Sequence, residues 1–193
     1  MAINLRKLLT AAVFSALASS PAYARECKGV TFPDQVQSGG TTLVLNGLGL
    51  RQASAFKVSV YVAGLYVAQT STDGNAILAS NSRKELVLQF VRDVGASDLS
   101  KAWQEGFELT AKAQLPALNE RIEKLKSWMA AMKNGERLIF VAKQGGGIEV
   151  NVNGTVKGTI DGDDFAKAFL SMWLGATPVN PTMKAGLLGG ACA

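Results

Sequence analysis

Arg51 and Tyr61 are residue types that together could hold a small anion. Arg51 ends a Gly47-Leu48-Gly49-Leu50 segment, and Tyr61 interrupts a valine-rich run on the side opposite the valines. If the chain reverses around residues 52–55, the two side chains approach each other. A guanidinium fork beside a phenol hydroxyl can bind a carboxylate or phenolate in an apolar setting. On spacing alone, a surface arginine and an ordinary strand tyrosine remain the simpler reading.

Other chemistries are excluded more sharply. The chain contains no histidine, which removes a Ser-His-Asp triad, a Cys-His pair and histidine metal sites together. Two cysteines cannot make a zinc site alone. The glycine clusters supply neither a P-loop nor a dinucleotide fingerprint, and read as turns. Asp161-Gly162-Asp163-Asp164 precedes an apolar helical pattern and lacks the distal glutamate of a calcium loop, so it reads as a helix start. No metal and no cofactor is expected.

The elements that must position Arg51 and Tyr61 follow from periodicity. Residues 30–94 are mostly strand. Weak alternation marks Thr42–Leu48. In Phe56–Tyr61 and the residues after it, Phe56, Val58, Val60 and Val62 face one way and Lys57, Ser59, Tyr61 and Ala63 the other. Glu85–Val91 is a further strand. Residues 97–133 read as helix, capped by Ser97 or Asp98, divided at Pro116 and stopped at Asn134-Gly135. Strands return at Arg137–Ala142, Ile148–Val152 and Thr155–Thr159, the last two joined by Asn153-Gly154, a strong hairpin signal. A helix capped by Asp161 runs through about Trp173, and a short one ends near Leu188. Strands, helices, strands and a helix indicate α+β with an antiparallel sheet.

The first 24 residues have the pattern of a secretory signal peptide: Arg6 and Lys7, an apolar stretch Leu8–Ala18, and Ala22-Tyr23-Ala24 as a cleavage site. An uncleaved anchor is the alternative, although the apolar stretch is shorter than the roughly 20 residues a span needs. Cleavage after Ala24 leaves 169 residues, enough for one domain and its core, with no integral membrane segment. It also leaves 18 basic and 15 acidic residues, a net charge of +3. No basic run or aromatic–basic interleaving suggests nucleic acid. Export makes the protein periplasmic in a Gram-negative host. Cys27 and Cys192, at the two ends of the mature chain, favour an internal disulfide, with free thiols or interchain bonds as alternatives.

Several segments, in order, resemble the chalcone isomerase-like family, in its bacterial secreted branch. They are Gly49-Leu50-Arg51, the strand from Phe56 to Gly64-Leu65-Tyr66-Val67, Lys84, Gly162–Phe169, Met172-Trp173-Leu174-Gly175, Pro178-Val179 and Lys184–Leu188. The resemblance spans nearly the whole mature chain. It implies an open-faced β-sandwich, a large antiparallel sheet backed by helices, with a ligand cleft between them. Members divide into plant enzymes that cyclise chalcones and relatives that bind fatty acids without catalysis.

By that resemblance, Arg51 matches the arginine that holds the ligand's anionic end. Tyr61 stands where the enzymes have a catalytic threonine and the fatty-acid binders a tyrosine. Lys84 matches an active-site lysine, and Ser171-Met172 resembles the enzymes' Thr-Met pair. The enzymes also need a second tyrosine after the lysine strand, yet no tyrosine follows Tyr66. Their helix asparagine falls near Gln104 or Glu105. The resemblance therefore implies binding of a small amphipathic acid such as a fatty acid, with an intramolecular lyase of the chalcone isomerase type as the alternative. A third alternative is a cleft that has decayed, leaving only a partner surface.

Overall fold

The computed structural model describes residues 23–53 and 56–192. The expected leader falls almost entirely outside the described residues. Of its cleavage motif, Tyr23 accepts a hydrogen bond from the Asp34 amide and Ala24 opens the first strand.

The chain begins with a small hairpin, β1 (Ala24–Cys27) and β2 (Val30–Pro33). A seven-stranded antiparallel sheet follows, in which every strand pairs with its neighbour in sequence. Its strands are β3 (Gln35–Ser38), β4 (Thr41–Ala53), β5 (Val58–Val67), β6 (Lys84–Phe90), β7 (Arg137–Ala142), β8 (Ile148–Val152) and β9 (Thr155–Ile160). A short helix, α1 (Gly74–Ala79), joins β5 to β6. The β6–β7 connection carries α2 (Ala96–Thr110), one 3-10 turn and α3 (Leu115–Ser127). After β9 come α4 (Asp163–Leu174) and α5 (Pro181–Leu187). The sheet curls as a half-barrel, and helices fill its hollow.

Period-two patterning gives the sheet two apolar faces. Ala63, Leu65, Leu86, Leu88, Phe140 and Val150 are buried against the helices. Val62, Tyr66, Val87, Leu43 and Leu45 are buried on the reverse, under the β1–β2 hairpin. There the Phe32 ring lies over Gly64, where a Cβ would come within 2.7 Å of it. Tyr66 donates to the Pro33 carbonyl at 2.9 Å. A disulfide joins Cys27 to Cys192, with Cα atoms 6.0 Å apart, and ties the hairpin to the chain's end.

The helical face closes through aromatic packing. Phe169 contacts Phe140 at 4.7 Å and Trp173 at 5.1 Å between centroids, and Trp103 lies 5.5 Å from Phe140. At the other side α5 packs directly on β4. A side chain at Gly47 would collide with the Gly186 carbonyl, and one at Gly49 would come within 2.5 Å of the Met183 carbonyl oxygen.

Several boundaries differ from the sequence expectation. The long helix divides at Ala111 (φ −137°, ψ 28°), and Pro116 opens α3 instead of breaking a helix. In the first turn its missing N–H costs nothing. α3 ends at Ser127, because Met132 leaves to pair with Val94 through bonds of 2.8 and 2.9 Å. Gly95, with no side-chain bond, precedes α2 in place of Ser97 or Asp98. Gly162 (φ 109°) takes the cap position expected of Asp161. Phe56 and Lys57 form a turn before β5 rather than its first residues. The Asn153-Gly154 hairpin forms as expected, with φ of 51° and 83°.

Candidate ligand-binding cleft

The β4–β5 ladder places Arg51 directly opposite Tyr61. One step further toward the hairpin tip the register slips, and Gln52 opposes Ser59. Val60 is the extra residue of this bulge, and its carbonyl bonds the Val91 amide at 3.0 Å. Bulges re-aim side chains locally. The valine alternation read from sequence therefore fails at Val60, which lines the same cleft as Tyr61.

That cleft has a volume of about 340 Å³, at the low end of the roughly 300–1,000 Å³ typical of small-molecule sites. Its floor is Tyr61 on β5 with Leu88 and Phe90 on β6. Its walls are Leu99 and Trp103 from α2 and Met172 and Trp173 from α4. Arg51, Arg92, Asp93 and Asp98 stand at its rim. The interior is thus apolar and aromatic and the mouth charged.

Tyr61 is held from two sides. Phe90 meets its ring edge to face at 5.7 Å, and the Trp173 indole N–H donates to its hydroxyl oxygen at 3.3 Å. Burial raises its pKa, outweighing the Trp173 hydrogen bond and the Arg51 charge that act to lower it. The phenol is therefore a protonated donor at neutral pH. Its oxygen already accepts from Trp173, and no described residue accepts its proton, which remains available to a ligand.

Arg51 donates to the Gln52 carbonyl. Among the described residues, neither Arg51 nor Arg92 has a carboxylate within ion-pair distance. Asp93 is occupied by the Lys133 ammonium at 2.9 Å and the Asn134 amide at 3.0 Å. These bonds, the lysine's first, hold its carboxyl below the usual range. Two guanidinium groups at the mouth thus retain capacity for an anion.

The two other residues implied by resemblance lie elsewhere. Lys84 is at the opposite end of β6 from Phe90, six residues or roughly 20 Å along the strand. It is buried and donates to the carbonyls of Ser80 and Ser82, securing the α1–β6 loop. Desolvation lowers its pKa, with the Asp163 charge opposing. Ser171 donates to the Lys167 carbonyl at 2.7 Å and lines a separate groove between α4 and the α2–α3 junction. Its neighbours Met172 and Trp173 reach the cleft instead. Gln104, near the position of the enzymes' asparagine, donates to Glu108 at 2.9 Å.

Trp103, Trp173, Phe90 and Arg92 are cleft residues that the sequence reading did not single out. The helical period marks Trp103 and Met172 as core, and nothing in that period separates a core ring from a cleft wall.

The site is therefore an aromatic cleft between an antiparallel sheet and its helices, with two guanidinium groups at the mouth. The chain belongs to the chalcone isomerase-like family, whose model matches residues 24–189. A solved structure of similar fold is the fatty-acid binding protein of Arabidopsis thaliana. It is 16% identical, with a TM-score of 0.70 covering 86% of this chain and 96% of that one. No curated protein matches the sequence.

Proposed function

We propose that the protein binds an amphipathic acid of the fatty-acid class in this cleft, without turning it over. The observation that carries the reading is the direct register of Arg51 with Tyr61 at the mouth of an aromatic cavity. The Arg51 guanidinium pairs with the carboxylate, the Tyr61 hydroxyl donates to it, and the tail lies along Phe90, Leu99, Trp103 and Trp173. Each buried CH₂ contributes about 0.8 kcal/mol. Among the described lining residues, Tyr61 carries the one hydroxyl, so the reading asks nothing of a second donor on a reacting ketone. The cleft is open rather than filled by side chains, which supports ligand binding over a bare partner surface. The Cys27–Cys192 disulfide supports an oxidising compartment, in keeping with a periplasmic location.

Native mass spectrometry of the protein as purified, followed by calorimetric titration with laurate, tests the proposal. A bound acid, or saturable laurate binding weakened by Arg51→Met, is expected. No bound lipid and no heat on titration would refute it, and chalcone cyclisation above the spontaneous rate would return the isomerase alternative.

A further inference from the structure

The β4–β5 turn carries Phe56, 89% exposed, the most exposed large apolar side chain among the described residues. Val58, two positions on, is 37% exposed. Lys57 between them has a left-handed backbone, φ 51°. Single exposed apolar residues are ordinary on soluble proteins. This pair differs in its place and its company.

The place is the mouth of the cleft. Arg51 and Ala53 on β4 and Val60 on β5 flank this turn, and all three line the cleft, whereas Phe56 does not. The company is basic. Lys57, Arg51 and Arg92 form no ion pair among the described residues. Of the two acids at the rim, Asp93 is neutralised by Lys133, leaving Asp98 against three cations.

An aromatic tip flanked by lysine and arginine suits the interface of an anionic bilayer. Aromatic side chains bury there at the headgroup boundary, and basic ones are drawn to the negative surface. We propose that the β4–β5 tip docks the cleft mouth onto an anionic lipid surface, with Phe56 inserted and Lys57 and Arg92 at the headgroups. Long-chain acids reside in bilayers rather than water, so such docking would open the cleft toward its ligand's reservoir. That purpose rests on the proposed ligand; the docking itself does not.

The test is flotation of the mature, disulfide-bonded chain with two kinds of vesicle, phosphatidylcholine alone and phosphatidylcholine mixed with phosphatidylglycerol. Partition onto the anionic vesicles is expected, weakening as salt rises. Phe56→Ser should lower it by about tenfold or more, from lost apolar burial. Lys57→Asn, which keeps a residue tolerant of left-handed backbone, should lower it by about fivefold. Laurate titration without vesicles runs in parallel, and Phe56→Ser should leave it unchanged. Vesicle binding without laurate binding would uphold the docking and sink the ligand reading. Absence of partition by the unmodified chain, or equal partition of Phe56→Ser, would overturn the docking and leave the tip to a protein partner.

Discussion

Replacing Arg51 with methionine tests the proposed head-group contact apart from the proposed tail contact. Methionine retains much of the apolar stem and deletes the charge. A hydrogen bond to a charged group contributes roughly 1.5–3 kcal/mol net, or about 10- to 150-fold in affinity. Arg51 is only partly buried, and one of its N–H groups is taken by the Gln52 carbonyl. The lower part of that range applies, so laurate should bind roughly 10- to 30-fold more weakly. Dodecanol, with the same tail and no charge, should weaken by only a few-fold, the value of a neutral hydrogen bond. Calorimetric titration of both ligands against both proteins reads the difference. The acid's advantage over the alcohol should also fade in the unmodified protein as pH falls through the ligand's own pKa, near 4 to 5 for a simple carboxyl. Equal loss for acid and alcohol would mean that Arg51 shapes the cleft without pairing with the head group. An unchanged acid affinity would refute the assignment outright.

Four further outcomes follow from the geometry. Tyr61→Phe leaves the Trp173 indole N–H without its acceptor, and should cost about 1–3 kcal/mol in urea unfolding; full stability would show that the 3.3 Å contact contributes nothing. Lys84→Met should destabilise the α1–β6 loop yet leave laurate affinity within about twofold, because sites this far apart act independently; a large loss of affinity would bring Lys84 back into the site. Cys27→Ala with Cys192→Ala opens a closure spanning 165 residues, and should cost up to roughly 4–5 kcal/mol, seen as a lower urea midpoint that reductant no longer shifts. Asp164 is held at about 2 by its hydrogen bonds from Arg121. Its folded value lies below the unfolded one, so its contribution is present above about pH 4 and is lost as pH falls toward 2. Because the carboxyl is more than half exposed, that contribution is at most about 1 kcal/mol, and Asp164→Asn should flatten the acid limb of the stability curve by that amount.

The sequence by itself determined the α+β class, because period two and period 3.6 alternate in long, clean stretches. β7 and β8 matched their expected bounds, and the Asn153-Gly154 turn formed, since local chemistry decides both. It also ruled out histidine chemistry, and it placed two cysteines where a bond between the chain's ends was reasonable. Local signals misled where distant contacts compete. Met132 ends the helical segment early because Val94, remote in sequence, offers it a pair of hydrogen bonds. α1 carries too weak a pattern to be read against its surroundings. At the site, Arg51 and Tyr61 were legible as chemistry, but their meeting depends on the β4–β5 register and on the bulge that turns Val60 inward. Residue types cannot specify that, since one step of register moves a side chain to the other face of a sheet. Lys84 shows the converse: it is read beside the site through resemblance, yet strand length alone carries it to the far end of β6. Only the tertiary structure decided which apolar residues are core and which line a cavity. Trp103 and Trp173 sit on the same helical stripes as buried neighbours, and what exposes them to the cleft is the gap between helix and sheet, set by every element around it.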